Sequence, residues 1–459
     1  MCLKKIVNLI KDKKNSVLLV IFLTVNIILF LFSFKDATLI EGADSGQYFY
    51  PALSFADKFE LRTANGDLLM FGTPLYSVFL GIIFKAFGSS NLFFVVMSQC
   101  VLLFMTGMIA RKIGQKILKK DSFIIQILLI FNPNSLITSH LIQSETLFTF
   151  ILILIVYLIV NFENLLKSKK FLLAVLFGLL TLTRPAGLYF SIFIVFSISL
   201  ILHIKFRHTI IQIFQRFTLP VLIVFTLSLS PWLYRNFAIT GEVFLSTNAG
   251  AYLKDQYLKL LKDNSPDSEI VILEKVDKNL KAYFAKNANY CIDNERNWRC
   301  NSLLEEHIKE QMLQTPVEHH IKSLGLSFMN LFFSPGSSNY RNYLAIDGKR
   351  DFIEFLSNND FRYTKIEAYF KTMNYGYYSI FILTAIYSIV LKIFAISGLY
   401  KGLINKNTRL NIVFFILIFC IFMAMYLYLG QSRFRVPLEP ILVIIAYIGL
   451  IKRKDEKNN

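Results

Sequence analysis

The eighteen residues from Val17 to Phe34 carry no charge, and apolar stretches of similar length recur as far as Ile451. Each residue of an α-helix advances about 1.5 Å, so about 20 residues cross the hydrocarbon of a bilayer, where every backbone N–H and C=O must find its partner within the protein. A chain built mainly of such stretches is expected to fold as an all-α polytopic membrane bundle. Composition agrees: 54% of the 459 residues are apolar, 45 are Phe, and 17% are charged, below the roughly one quarter usual in soluble domains. The net charge of +18 does not point to nucleic acid, because the basic residues sit in short runs between apolar spans. That distribution sets membrane topology instead.

Lys4, Lys5, Lys11, Lys13 and Lys14 place the N-terminus inside, ahead of a first span at 17–34 that no small-residue cleavage site follows, the pattern of a retained anchor. Pro74 to Phe87 reads as a span or as a surface helix: its 14 residues include Lys85 and reach only about 21 Å. If it crossed, the span at 92–110 would deliver Arg111, Lys112, Lys116, Lys119 and Lys120 to the outside. The positive-inside bias therefore assigns it to the outer interface. Further spans are expected near 122–139 and 146–161, on both sides of Thr183-Arg184-Pro185-Ala186-Gly187 within 171–204, and near 217–234, 377–396, 410–429 and 437–451. This gives about ten transmembrane helices, with both termini cytoplasmic.

The expected organisation has three parts. Residues 1–235 form a transmembrane module with a first outer loop at 35–90, residues 236–375 a small soluble extracytoplasmic domain, and residues 376–459 the last transmembrane helices and a basic cytoplasmic tail. The middle segment balances 17 basic against 18 acidic residues. Within it, Ile321 to Phe333 reads equally as a helix on the membrane and as a buried helix. Cys291 and Cys300 also fall there, in a compartment that permits oxidation. They are read as a structural disulfide or as two reduced thiols.

Charges near lipid are costly and need a reason. On this topology the outer surface collects Asp44, Glu145, Arg184, Arg235, Arg433 and Arg435 from five connections. Asp44, in Glu41-Gly-Ala-Asp-Ser-Gly-Gln-Tyr48, is either a general base for an attacking hydroxyl or amine or a helix N-cap. Glu145 either binds a metal, orients the acceptor or pairs with an arginine, or it simply matches the dipole of its own helix. Each arginine alone suits a headgroup anchor, but together their guanidinium forks match phosphate at the outer leaflet. Glu318-His319-His320 with His307 lacks H-E-x-x-H spacing, so solvated surface is expected there rather than a metal centre. No Walker loop occurs. The sequence requires no cofactor and leaves a divalent metal undecided.

In order, these motifs resemble the membrane glycosyltransferases of the C superfamily that use lipid-phosphate-linked sugars. The family 39 type, with the bacterial relatives of protein O-mannosyltransferases and of the lipid A aminoarabinose transferase, is the nearest likeness. Asp44-Ser-Gly-Gln-Tyr48 with Ala52 is similar to that family's first-loop acid motif. Gly72-Thr-Pro-Leu-Tyr76 is similar to the start of its juxtamembrane helix. Asn132-Pro133 through Ser144-Glu145, Arg184-Pro185, Pro231-Trp232 with Arg235-Asn236, and Arg433-Phe-Arg-Val-Pro437 follow in the same order. The resemblance implies inverting transfer from a polyprenyl-phosphate sugar to a lipid, glycan or protein acceptor outside a bacterial inner membrane. Asp44 is then the base, Glu145 positions the acceptor, and Arg184, Arg235, Arg433 and Arg435 are the donor-phosphate contacts. Gly72 stands where relatives carry a cation, so Arg62 joins that set, and Ser45 follows Asp44 where the mannosyltransferases have a second acid. Two rival readings are a flippase or transporter of a lipid-linked glycan, which predicts charges buried at mid-bilayer, and a polytopic glycan ligase or polymerase.

Overall fold

The computed structural model describes residues 13–33, 44–89, 91–161, 169–206, 209–292, 298–346, 375–426 and 428–451. The basic residues Lys4, Lys5 and Lys11, the tail Lys452-Arg453-Lys454 and positions 347–374 of the expected outer domain lie outside the described residues. In chain order the helices are α1 (Lys13–Ser33), α2 (Ser45–Lys58), α3 (Leu75–Phe87), α4 (Leu92–Leu118), α5 (Phe123–Ile130), α6 (Pro133–Thr138), α7 (Glu145–Val160), α8 (Lys170–Thr183), α9 (Ala186–Phe206), α10 (Leu219–Thr240), α11 (Ala249–Asn264), α12 (Glu269–Asn287), α13 (Trp298–Gln314), α14 (Val317–Phe333), α15 (Ser337–Tyr343), α16 (Tyr375–Ile404), α17 (Lys406–Tyr426) and α18 (Glu439–Leu450). Among the described residues the β structure is a single antiparallel bridge, Arg62 to Leu68.

Among the described residues, six helices are long and apolar enough to cross a membrane: α1, α4, α9, α10 with the turns from Ile210, α16 and α17. Each falls on an expected span. Of the other four expected spans, 146–161 and the first half of 171–204 are met by α7 and α8, whereas 122–139 is broken into α5 and α6 and 437–451 is shortened to α18. Pro133 lacks the N–H that would continue α5, and Asn132 accepts from the Ser135 N–H to start α6 afresh. At 1.5 Å per residue, α7, α8 and α18 reach about 24, 21 and 18 Å, less than the roughly 30 Å of hydrocarbon. Enclosure explains their tolerance: every residue of α18 from Glu439 to Gly449 is buried. Protein groups rather than lipid then meet the helix ends.

Two glycines set how closely α18 approaches α16. A Cβ on Gly398 would overlap the Ile445 carbonyl oxygen, and one on Gly449 that of Phe394. Gly402, one turn further along α16, faces α17 instead, where a Cβ would stand 2.6 Å from the Ile412 side chain. The thirteen residues of α3, too short to span alone, pack against α2, where a Cβ on Gly81 would stand 2.7 Å from Phe55 and 3.0 Å from the Ala52 carbonyl oxygen.

A buried polar chain locks α1 to the bundle. Asn26 spends its amide hydrogens on the Phe22 carbonyl, so its Oδ1 accepts from His140 Nε2 at 2.7 Å and from Cys100 Sγ at 3.2 Å. His140 Nδ1 is then left to accept from the Tyr343 hydroxyl at 2.8 Å.

Helices α11 to α13 enclose a separate small core of Val276, Leu280, Phe284, Leu304 and Ile308. Cys291 and Cys300 are bonded at its edge, with Cα atoms 5.7 Å apart. α14 joins this cluster to the bundle. Ser323 Oγ donates to Asp263 at 2.6 Å, and Ser327 Oγ to the Tyr428 carbonyl at 2.7 Å.

Candidate active site

Asp44 stands at the N-cap position of α2, but its side chain caps no backbone N–H. Its Oδ2 instead accepts from Arg433 Nη1 at 2.7 Å, across 389 positions of sequence. Arg433 is held for this by Gln431, whose Oε1 accepts from Nε at 2.7 Å, and by the Phe434 ring, 4.8 Å from Cζ. A carboxylate offers about four lone-pair sites, so Asp44 keeps capacity to accept a further proton.

A second pair lies within reach. Glu145, the first residue of α7 and 2% exposed, meets Arg184 Nη1 at 2.7 Å. Pro185 stops α8, Arg184 takes an extended conformation (φ −151°, ψ 138°), and its guanidinium turns toward the stacked rings of Tyr426 and Phe434, whose centroids are 4.6 Å apart.

Tyr48 joins the two pairs. It follows Asp44 by four residues, one helical turn further on the same face of α2, and its hydroxyl lies 3.2 Å from Ser144 Oγ. Burial pushes its phenol up from the ordinary value, Arg184 pulls it down, and Glu145 and Asp44 add to the rise. The Phe434 ring links the two pairs directly, 4.8 Å from Arg433 Cζ and 5.7 Å from that of Arg184. Tyr76 packs edge-on against Tyr48 at 4.9 Å and donates to Gln99 Oε1 at 2.9 Å. Gln99 Nε2 in turn donates to the Ser139 and Leu141 carbonyls, fixing the loop that carries Glu145. Sequence reasoning quoted both tyrosines within motifs but gave neither a role. The i, i+4 spacing of Asp44 and Tyr48 was the available signal.

The remaining cations separate from this group. Arg435 is 3% exposed. It donates to Glu439 at 2.7 Å and to the Leu331, Phe332 and Ser334 carbonyls, the last two at 2.9 and 3.1 Å. Arg235 is engaged by the Leu69 carbonyl at 2.6 Å and Asn236 Oδ1 at 2.8 Å, over the Trp232 ring. Arg62 pairs with Glu60 and donates to the Gly66 carbonyl within an exposed turn. Asn132 and Asn134 serve Glu439, at 3.0 and 3.3 Å. His320 is held between Tyr428 and the Met312 carbonyl. Among the described residues no group of three His, Cys, Asp or Glu side chains converges to hold a metal.

No family model matches the chain, and no curated protein matches it. Among solved structures it is similar to the crystal structure of ArnT from Cupriavidus metallidurans in the apo state. That match has 13% identity over 94% of this chain and 78% of that one, with a TM-score of 0.37.

Proposed function

We propose that this chain is a membrane glycosyltransferase of the C-superfamily type, moving a sugar from a polyprenyl-phosphate carrier to an extracytoplasmic lipid, glycan or protein acceptor. The observation that carries the reading is the meeting of Asp44 with Arg433 beside Glu145 and Arg184, the two guanidinium groups lying 4.8 and 5.7 Å from the Phe434 ring. These charges come from four separate connections, and they pair one acid suited to proton abstraction with cations suited to a phosphate.

In the proposed step, the acceptor hydroxyl or amine gives its proton to Asp44 and attacks the anomeric carbon. The bond from that carbon to the phosphate oxygen breaks, configuration inverts, and the phosphate leaves with the electron pair. Preorganised guanidinium groups at Arg184 and Arg433 offset the charge gathering there. An incoming phosphate competes with Asp44 for Arg433, so donor binding frees carboxylate lone pairs for the acceptor. Glu145 keeps Arg184 aimed and helps place the acceptor. Arg435 and Arg235, spent on buried or half-buried partners, are assigned to architecture, and Arg62 to the rim. The bonded Cys291 and Cys300 support an outward position for α11 to α13, because disulfides persist in oxidising compartments. The enzyme would lie in a bacterial cytoplasmic membrane with both termini inside.

One observation favours a second reading, a transporter of a lipid-linked glycan. Arg435, Glu439, Asn132 and Asn134 form a buried polar group within the bundle, and such groups mark transport sites in other membrane proteins. Replacing Asp44 by Asn discriminates. In cells carrying D44N, mass spectrometry of lipid A, envelope proteins and surface glycans should show the loss of one sugar found with the wild-type gene, at unchanged protein abundance in the membrane. Unchanged glycan profiles would remove Asp44 as the base.

A further inference from the structure

α14 carries its polarity inside out. Its buried positions are Ser323, Ser327 and Leu331, whereas Val317, Ile321, Phe328, Met329 and Phe333 are 71, 66, 42, 48 and 49% exposed. A helix in water buries its apolar face. In α14, Glu318 and Lys322 are also exposed in the first two turns, so the outward apolar face is that of the last two turns, Phe328 to Phe333, and it marks a surface that something else covers.

Two contacts fix the depth of its last turn. The Phe333 ring lies 5.5 Å from Lys392 Nζ, and Lys392 is the 18th of the 30 residues of α16. That position is about 26 Å from one end of the helix and about 18 Å from the other. The Phe332 ring lies 4.8 Å from that of Phe419, the 14th of the 21 residues of α17. At the same level α16 turns Ile389 and Ile393 outward, 54 and 59% exposed. The free face of α14 is thus continuous with the surface that two candidate spans present to lipid.

The helix end gives an independent sign. The last four carbonyls of any helix lack intrahelical partners, and in water the solvent meets them. Here a buried guanidinium, Arg435, is committed to the carbonyls of Leu331, Phe332 and Ser334 and is itself neutralised by Glu439. Such an arrangement is what a helix end needs where no water reaches it.

We propose that α14 is a re-entrant membrane helix. It enters one leaflet from the side that carries α11 to α13, its tip stapled by Arg435, and lipid acyl chains cover Ile321, Phe328, Met329 and Phe333. The proposal does not depend on the catalytic reading.

The test is spin-label accessibility in nanodiscs, using single cysteines at Ile321, Met329 and, as a water-exposed control on α12, Lys278, in chains with Cys2, Cys100 and Cys420 replaced by alanine. The label at 329 should be open to oxygen and shielded from a water-soluble nickel complex, 321 should be intermediate, and 278 should be open to nickel. Equal nickel access at 329 and 278 would place the face in water. Shielding of 329 from both reagents would mean that protein, a partner helix or a second copy, covers it. Either result overturns the proposal. The unmodified chain gives a second measurement, in nanodiscs of lipid with a photoactivatable diazirine in the acyl chain. Cross-links are expected on α14, α16 and α17 but not on α12, and cross-links on α16 and α17 without α14 would also overturn it.

Discussion

Replacing Arg435 with methionine removes the group that ends α14 and faces Glu439. Both side chains of that pair are 3% exposed, so the loss is felt without solvent to soften it. Three carbonyls lose a charged donor, and Glu439 keeps only the amides of Asn132 and Asn134. Breaking a buried pair from one side costs about 3–5 kcal/mol. Glu439→Gln is gentler, because Arg435 would keep its carbonyls at the negative end of the α14 dipole, and about 1–2 kcal/mol is expected from the lost charge-assisted bond. Thermal unfolding in nanodiscs, followed by near-ultraviolet circular dichroism, should therefore rank wild type above E439Q and E439Q above R435M, with R435M lowered by about 3–5 °C. Unfolding of E439Q at or below the temperature of R435M would refute the assignment of Arg435 to the helix end. So would an R435M chain as stable as wild type.

Three further outcomes are expected. Gly430→Ala should destabilise the chain by about 1–3 kcal/mol, because the residue has φ +56° and a Cβ would stand 2.5 Å from the Ser327 carbonyl oxygen; the same thermal assay reads it. Replacing Cys291 with Ser opens a loop whose ends are nine positions apart, and should cost the α11 to α13 cluster about 2–3 kcal/mol, read as faster hydrogen exchange in α12 and α13. Burial lowers the His307 pKa below its ordinary value, with Glu310 opposing. The neutral ring's contribution is therefore complete above about pH 6.5 and is lost as the pH falls through the lower folded-state value. The protection of α12 and α13 amides against hydrogen exchange, taken relative to the intrinsic rate at each pH, should thus fall between pH 7.5 and 5, and His307→Phe should flatten that dependence.

Apolar run length alone located the helices, because covering backbone in lipid leaves few alternatives. It misjudged the length of the enclosed ones: 437–451 reads as one span, yet a tight 3₁₀ turn at Ser432–Leu438 leaves only twelve residues for α18. That turn also explains why Arg433 and Arg435 part company. At three residues per turn, positions two apart differ by about 120° in direction, so one arginine faces Asp44 and the other faces α14. Nothing in Gln-Ser-Arg-Phe-Arg-Val-Pro declares a 3₁₀ turn in advance. The pairing of Asp44 with Arg433 was legible only as a shared side of the membrane, since 389 intervening residues carry no pattern for the contact. Gly398 and the inward serines of α14 carry signals about which face meets a neighbour, and apolar run length does not register those.

The Ser432–Leu438 turn has a mechanical consequence. Arg433 holds the acid of α2, while Arg435, two residues on, holds the foot of α14. A change in bilayer thickness that tilts α14 would pull on this short stiff lever and reach the Asp44 ion pair almost undamped. Activity in lipids of graded chain length would then report the strain that the surrounding membrane puts on the site.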